Sequence, residues 1–229
     1  MASPIRIISS MATRPLLNDL IGQYAQKSGL QATLEAVGGV DAAKRVQARE
    51  AFDAVVLASN VIDTLIAEGK VVAGSRVDLV RSGIAVAVPA GAPRIDIGSE
   101  QAVREAVLAA RTVGYSTGPS GTYITQLFER WGVADQIKSR IVRPPPGVPV
   151  GSLIAKGEVE LGFQQLSELM NVAGIEVLGP LPPEIQSMTV FSAGIAATSA
   201  QQAAVRDMLA FMASAETAEV KRDNGMEPA

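Results

Sequence analysis

The sequence contains no cysteine and no histidine. Without thiols there are no thiol nucleophiles, disulfides or thiolate metal sites, and the redox compartment cannot be read from the chain. Without imidazole, Ser-His-Asp triads, Cys-His dyads and most zinc centres are excluded as well. Any enzyme here works with Asp, Glu, Lys, Tyr, Arg or backbone groups, and neither a cofactor nor a metal site is expected. No apolar run approaches the roughly 20 residues that cross a bilayer. The Lys and Arg residues are scattered and the net charge is −3. That balance offers no electrostatic footprint for nucleic acid and no basic helix for a membrane surface. The opening "MASPIRIISS" turns into a strand almost at once, unlike a secretory signal. The expected compartment is therefore the periplasm if a signal has been removed, and the cytoplasm otherwise.

What is present is a large core. The 229 residues are 48% hydrophobic and 19% charged, enough for one large domain or two lobes of roughly 100–120 residues. Apolar runs alternate with helical periodicity from the start. Strand 5–12 leads into a helix over 12–29, where Leu16, Leu17, Leu20, Ile21 and Tyr24 share a face, Pro15 sits in the first turn and Gly29 ends it. Strand 30–37, helix 38–50, strand 52–59 and a helix over 60–69 with Asn60 as a cap follow. This order predicts a parallel sheet with right-handed crossovers. After a strand over 79–89, a second block alternates: helix 99–111, strand 112–117, helix 120–131, strand 140–145, helix 149–157 and strand 159–165. Strands 174–181 and 188–198, an amphipathic helix over 199–214 and a short helical tail complete the chain. Trp131 is expected in the core.

The predicted fold class is α/β, with two lobes that are each a mostly parallel sheet flanked by helices, and a ligand cleft between them. Residues 1–82 with 192–229 form the first lobe and 83–191 the second, joined by hinge strands near 80–88 and 187–195. Ligands in open α/β sheets sit beyond the carboxyl ends of the strands, where helix N-termini supply N–H donors.

Four strand-to-helix junctions carry small and hydroxyl residues. They are Ser9-Ser10-Met11, Gly38-Gly39, Ser59-Asn60, and the longest, from Ser116-Thr117 through Ser120-Gly121-Thr122. Unpaired N–H groups and hydroxyls gathered there suit a small oxygen-rich anion. Ordinary N-capping is the alternative at each junction. The last junction is no phosphate-binding loop, because no lysine follows its second glycine. Arg81 heads the run "RSGIAVAVP" and is expected either to fork onto a ligand carboxylate or to pair with Asp78 or Glu68. Gln164 and Gln165 end a strand and would orient a polar ligand. Tyr123 offers an O–H or simply packs.

The strand ending in Ser9-Ser10, "FDAVVLAS" (52–59), "SGIAVAVPAGAP" (82–93), "IAKGEVELGFQQLSEL" (154–169) and the closing "FMASAETAEVKRDNGMEPA" (211–229) occur here in a familiar order. Together they resemble the molybdate-binding-protein-like group of periplasmic type II substrate-binding proteins, a group that also includes aconitate isomerase. The resemblance covers nearly the whole chain. It implies two α/β lobes closing on an anion held by neutral donors, with an ABC permease as the partner. Carried over by position, the ligand set would be Ser9 or Ser10, the 38–39 turn, the helix start at Ser120-Gly121, a backbone N–H near Val148, and Gln165. The family pattern has a serine in the 38–39 turn and a tyrosine at Gln165. Those departures favour an organic di- or tricarboxylate over molybdate. The alternative is proton transfer within an unsaturated polycarboxylate, with Tyr123, Glu168 or a hydroxyl–water relay as the base.

Overall fold

A computed structural model describes residues 3–145 and 147–229. Contacts divide the chain into two units, one running to Ser82 and resuming over Thr189–Ala229, the other Gly83–Met188. The first unit opens with β1 (Ile5–Ser10), α1 (Arg14–Ser28), β2 (Ala32–Val37), α2 (Gly39–Gln47), β3 (Ala54–Ala58) and α3 (Ser59–Ala67). Strand β4 (Val77–Pro89) leaves it for the second unit. There follow α4 (Glu100–Ala109), β5 (Val113–Tyr115), α5 (Pro119–Arg130), α6 (Ala134–Ile137), β6 (Ile141–Val142) and α7 (Val150–Ala155). Next come β7 (Leu161–Gln165), α8 (Leu166–Leu169) and β8 (Ile175–Pro180). Strand β9 (Met188–Ile195) returns the chain to the first unit, which ends in α9 (Gln202–Ala213), α10 (Ala218–Asp223) and β10 (Glu227–Pro228).

In the first unit β1 lies between two parallel partners, in register Ile5↔Ala32 with β2 and Ile7↔Ala54 with β3. Strand β9 runs antiparallel to β3. Side chains alternate across the sheet. Ile5, Ile7, Ala54 and Val56 meet Leu16, Leu17 and Leu20 of α1 and Met208 and Leu209 of α9. Ile8, Val55 and Leu57 meet Val46 of α2 and Ile62 and Leu65 of α3. Both faces of β3 are covered, so it is apolar and buried throughout, while the edge strand β2 alternates half-buried and exposed residues.

The second unit repeats the plan. Strand β5 is parallel to β6 and to β7, while β4 takes β7 and β8 as antiparallel neighbours. Ile84, Val86 and Val88 face a core with Val103 and Val107 of α4 and Ile124 and Phe128 of α5. Ala85 and Ala87 face Val150 and Ile154 of α7. That face is built of small residues because α7 lies close. A Cβ on Gly162 would stand 2.4 Å from Ile154 Cδ1.

The sheets are mixed, since β4, β8 and β9 run antiparallel to their neighbours. The strand expected over 140–145 pairs only at Ile141–Val142, because Pro144 and Pro145 have no N–H for a ladder. Helix α3 starts at Ser59 with Ala58 before it, so Asn60 lies inside the helix and does not cap it. Trp131 is half-buried at the edge of the core, its indole N–H donating to Glu100 at 2.6 Å. Helix α6 and strand β10 have no counterpart in the sequence reading. Strand β10 pairs antiparallel with β4 at Glu227↔Arg81 and Pro228↔Val80.

Candidate functional site

The parallel strands of each unit end at one edge, and a helix starts after most of them. Whether those helix starts are open depends on their caps. At α2, α3 and α5 the residues before the helix are Gly38, Ala58 and Gly118, and none supplies a side-chain cap. Helix α4 shows the contrast, with the Ser99 hydroxyl accepting from the Ala102 N–H at 3.1 Å. The hydroxyls at the site-like junctions are therefore not spent as caps, and the first-turn N–H groups keep their capacity for an acceptor.

In the first unit the two serines of β1 divide. Ser9 Oγ donates to its neighbour's carbonyl, Ser10 O, at 3.0 Å. Ser10 Oγ is buried and has no hydrogen-bond partner among the described residues. Gly39, the first residue of α2, faces it, since a Cβ built there would lie 3.8 Å from Ser10 Cβ. A buried hydroxyl without a partner is costly unless a ligand or water completes it. Met11 begins the turn that follows, Gly38 precedes α2, and Ser59 opens α3, half-buried at the same edge of this sheet. Arg81 is elsewhere occupied. Its guanidinium lies 3.5 Å from Glu227 on the paired strand, half-exposed. The expected partners are engaged with other groups, Asp78 with Arg76 and Ser192, and Glu68 with Gln47.

The second unit gathers most of the remaining candidates. Because β5 and β7 are parallel with Tyr115 opposite Phe163, Ser116-Thr117 and Gln164-Gln165 follow that pair at the same edge of the sheet. Ser116 Oγ lies 2.8 Å from Ser120 Oγ and accepts from the Gly118 N–H at 3.3 Å. Gly121 cannot be replaced here, because a Cβ would stand 1.6 Å from the Ser116 carbonyl oxygen. Tyr115, Ser116, Thr117, Gly121, Thr122, Thr125 and Arg143 line a cavity of about 150 Å³. Two expected donors are spent within the chain. The Tyr123 hydroxyl donates to Ile185 O at 2.9 Å, and the Val148 N–H to Pro145 O at 3.0 Å. Both glutamines are buried. Gln164 Oε1 accepts weakly from the Gly151 N–H, at 3.4 Å, and its amide also bonds Glu168. Desolvation drives the Glu168 carboxyl up to about 7, and the Gln164 hydrogen bond only partly opposes it. An acid ionising near neutrality is poised to take and return a proton.

A family model described as bacterial extracellular solute-binding protein matches residues 5–227. The chain belongs to that family. Among curated proteins, an aconitate isomerase from Pseudomonas sp. is 34% identical over 98% of this chain and 87% of its own length. The fold is that of the periplasmic molybdate-binding protein of Azotobacter vinelandii, with a TM-score of 0.83 at 19% identity, covering 97% of this chain and 98% of that one. The tungstate ABC transporter structure from Geobacter sulfurreducens gives a TM-score of 0.77 at 15% identity over 96% and 98%.

In this solute-binding-family protein, three residues of the candidate cavity, Tyr115, Thr125 and Arg143, were missed by sequence reasoning, and Arg143 is the charged one. It follows the last residue of β6, whose neighbour in register is Gly114 of β5, so it stands level with Tyr115. The only signal was positional: an arginine at the carboxyl end of a strand, closed off by prolines. Among the described residues no group of three or more acidic side chains could hold a metal ion. Among the described residues no helix is long and apolar enough to cross a membrane.

Proposed function

We infer that this protein binds a small unsaturated polycarboxylate and interconverts cis- and trans-aconitate by moving a proton along the ligand's three-carbon allylic unit. The observation that carries the reading is Glu168, a desolvated carboxyl ionising near pH 7 at the carboxyl edge of β7, in a chain without histidine or cysteine. The 34% identity to an aconitate isomerase supports the choice of substrate. Ionised Glu168 takes a proton from the methylene carbon that bears a carboxylate. The C–H electron pair spreads over the allylic carbons and their carboxylates. Glu168 then returns the proton to the former vinylic carbon, and the double bond re-forms one position along. No double bond is twisted, because the geometry of the product follows from how the methylene carboxylate is held. Open N–H groups at the start of α5, the Ser116 and Ser120 hydroxyls and the Arg143 guanidinium would stabilise the spread negative charge.

The test is to incubate the protein with cis-aconitate in deuterated buffer and follow it by proton NMR. Conversion to the trans isomer, lost by two orders of magnitude or more in Glu168→Gln, is the expected result. The rate should also fall below pH 7 as Glu168 takes up its proton. A second reading, capture of an organic anion for an ABC permease without turnover, is favoured by the family description. Tight binding with an unchanged ligand would establish it and remove the isomerase.

A further inference from the structure

We propose that the cavity against the first turns of α5 is a subsite for one further carboxylate of the ligand, and that Arg143 selects for it. The proposal rests on the polycarboxylate reading above and adds the reason why three carboxylates would be preferred to two. The lining joins one guanidinium to the hydroxyls of Ser116 and Thr117, while those of Thr122 and Thr125 donate to Gly118 O and Gly121 O at the start of α5. It contains no carboxylate, so its potential is positive, and the guanidinium fork is the group that matches an oxyanion. Arg143 has no ion-pair partner among the described residues and is the one arginine in the cavity lining, so its charge there is open to a ligand. At about 150 Å³ the cavity has room for a carboxylate-bearing arm together with water.

The lining is also held in place. The Arg143 guanidinium carbon lies 6.0 Å from the Tyr115 ring centroid, over an aromatic face. Tyr115 is itself buried, edge-on to Phe128. Thr125 Oγ1 donates to Gly121 O at 2.9 Å, and Gly121 is pressed against the loop carbonyl of Ser116. A guanidinium on a fixed platform loses little freedom on binding and presents a planar fork that a carboxylate matches.

The experiment is calorimetric titration of wild type, Arg143→Gln and Arg143→Lys with three non-isomerising probes. Tricarballylate carries three carboxylates, while glutarate and methylsuccinate carry two each. Wild type should bind tricarballylate at least ten-fold more tightly than either dicarboxylate. Arg143→Gln should lose ten- to hundred-fold for tricarballylate, the value of a charge-assisted bond, and under three-fold for the dicarboxylates. Arg143→Lys should recover part of the loss, since it restores charge without the fork. Arg143 is exposed, so both variants should fold and melt as wild type does. Undiminished tricarballylate binding by Arg143→Gln, or an equal loss for all three probes, overturns the subsite while leaving the polycarboxylate reading intact. Failure of wild type to bind any of the three overturns that reading and the subsite with it.

Discussion

Replacing Glu168 with glutamine isolates a single titration. In the folded protein its carboxyl ionises at about 7, against an ordinary value of 4.5, because burial penalises the charged form. The sign follows from which state holds the proton. Between pH 4.5 and 7 the unfolded chain has released it and the folded chain retains it, so stability falls as pH rises through that window. A shift of that size corresponds to at most about 3 kcal/mol lost by pH 8. Glutamine keeps the shape and has no proton to lose, so its profile should stay flat there. For a chain of this length the two melting temperatures should diverge by about 6–12 °C between pH 4.5 and 8. The window is clean because the sequence has no histidine. Glu35, beside Arg45, Asp78, bonded by Ser192, and Glu100, bonded by Trp131, all lie below the usual carboxylate range. Their contributions are complete above the unfolded value and are lost only as pH falls. The assay is thermal melting of ligand-free protein at half-unit pH steps. Parallel profiles for wild type and Glu168→Gln would refute the desolvated carboxyl, and with it the proposed base.

Arg81→Ala should leave carboxylate affinity within two-fold and cost no more than about 1 kcal/mol in denaturant unfolding, because its partner is the exposed Glu227. A ten-fold loss of affinity would return Arg81 to the ligand. Gly121→Ala should destabilise the protein by more than about 3 kcal/mol or displace the Ser116–Gly118 loop, since the new Cβ would collide with a backbone oxygen at 1.6 Å. An unchanged melting temperature together with unchanged ligand binding would refute that packing. Lys221→Met should raise the urea midpoint at pH 7. Lys221 is 1% exposed, and burial lowers its ammonium below the ordinary lysine value, so folding pays a penalty that methionine does not. A lower midpoint would mean that the ammonium is well solvated or paired.

The sequence alone determined the α/β alternation, because periodicity, Pro15 in a first turn and Gly29 at a helix end act within a few residues. It also determined which chemistries are absent, since a chain without histidine or cysteine cannot acquire them by folding. The carboxyl-edge hydroxyls were legible for the same reason, as strand ends and helix starts are local features. What those groups do was decided only by tertiary contacts. Ser9 and Ser10 are adjacent and identical, yet one hydroxyl is satisfied by backbone and the other faces α2. Tyr123 is spent on Ile185, 62 positions away, and Arg81 on a C-terminal strand too short to show any pattern. Arg143 became a candidate site residue because β6 pairs with β5 and sets it over Tyr115. Glu168, one of the candidate bases of the sequence reading, is set apart from the others because packing excludes water from its carboxyl. Desolvation and partner choice are properties of three-dimensional surroundings, and no spacing along the chain encodes them.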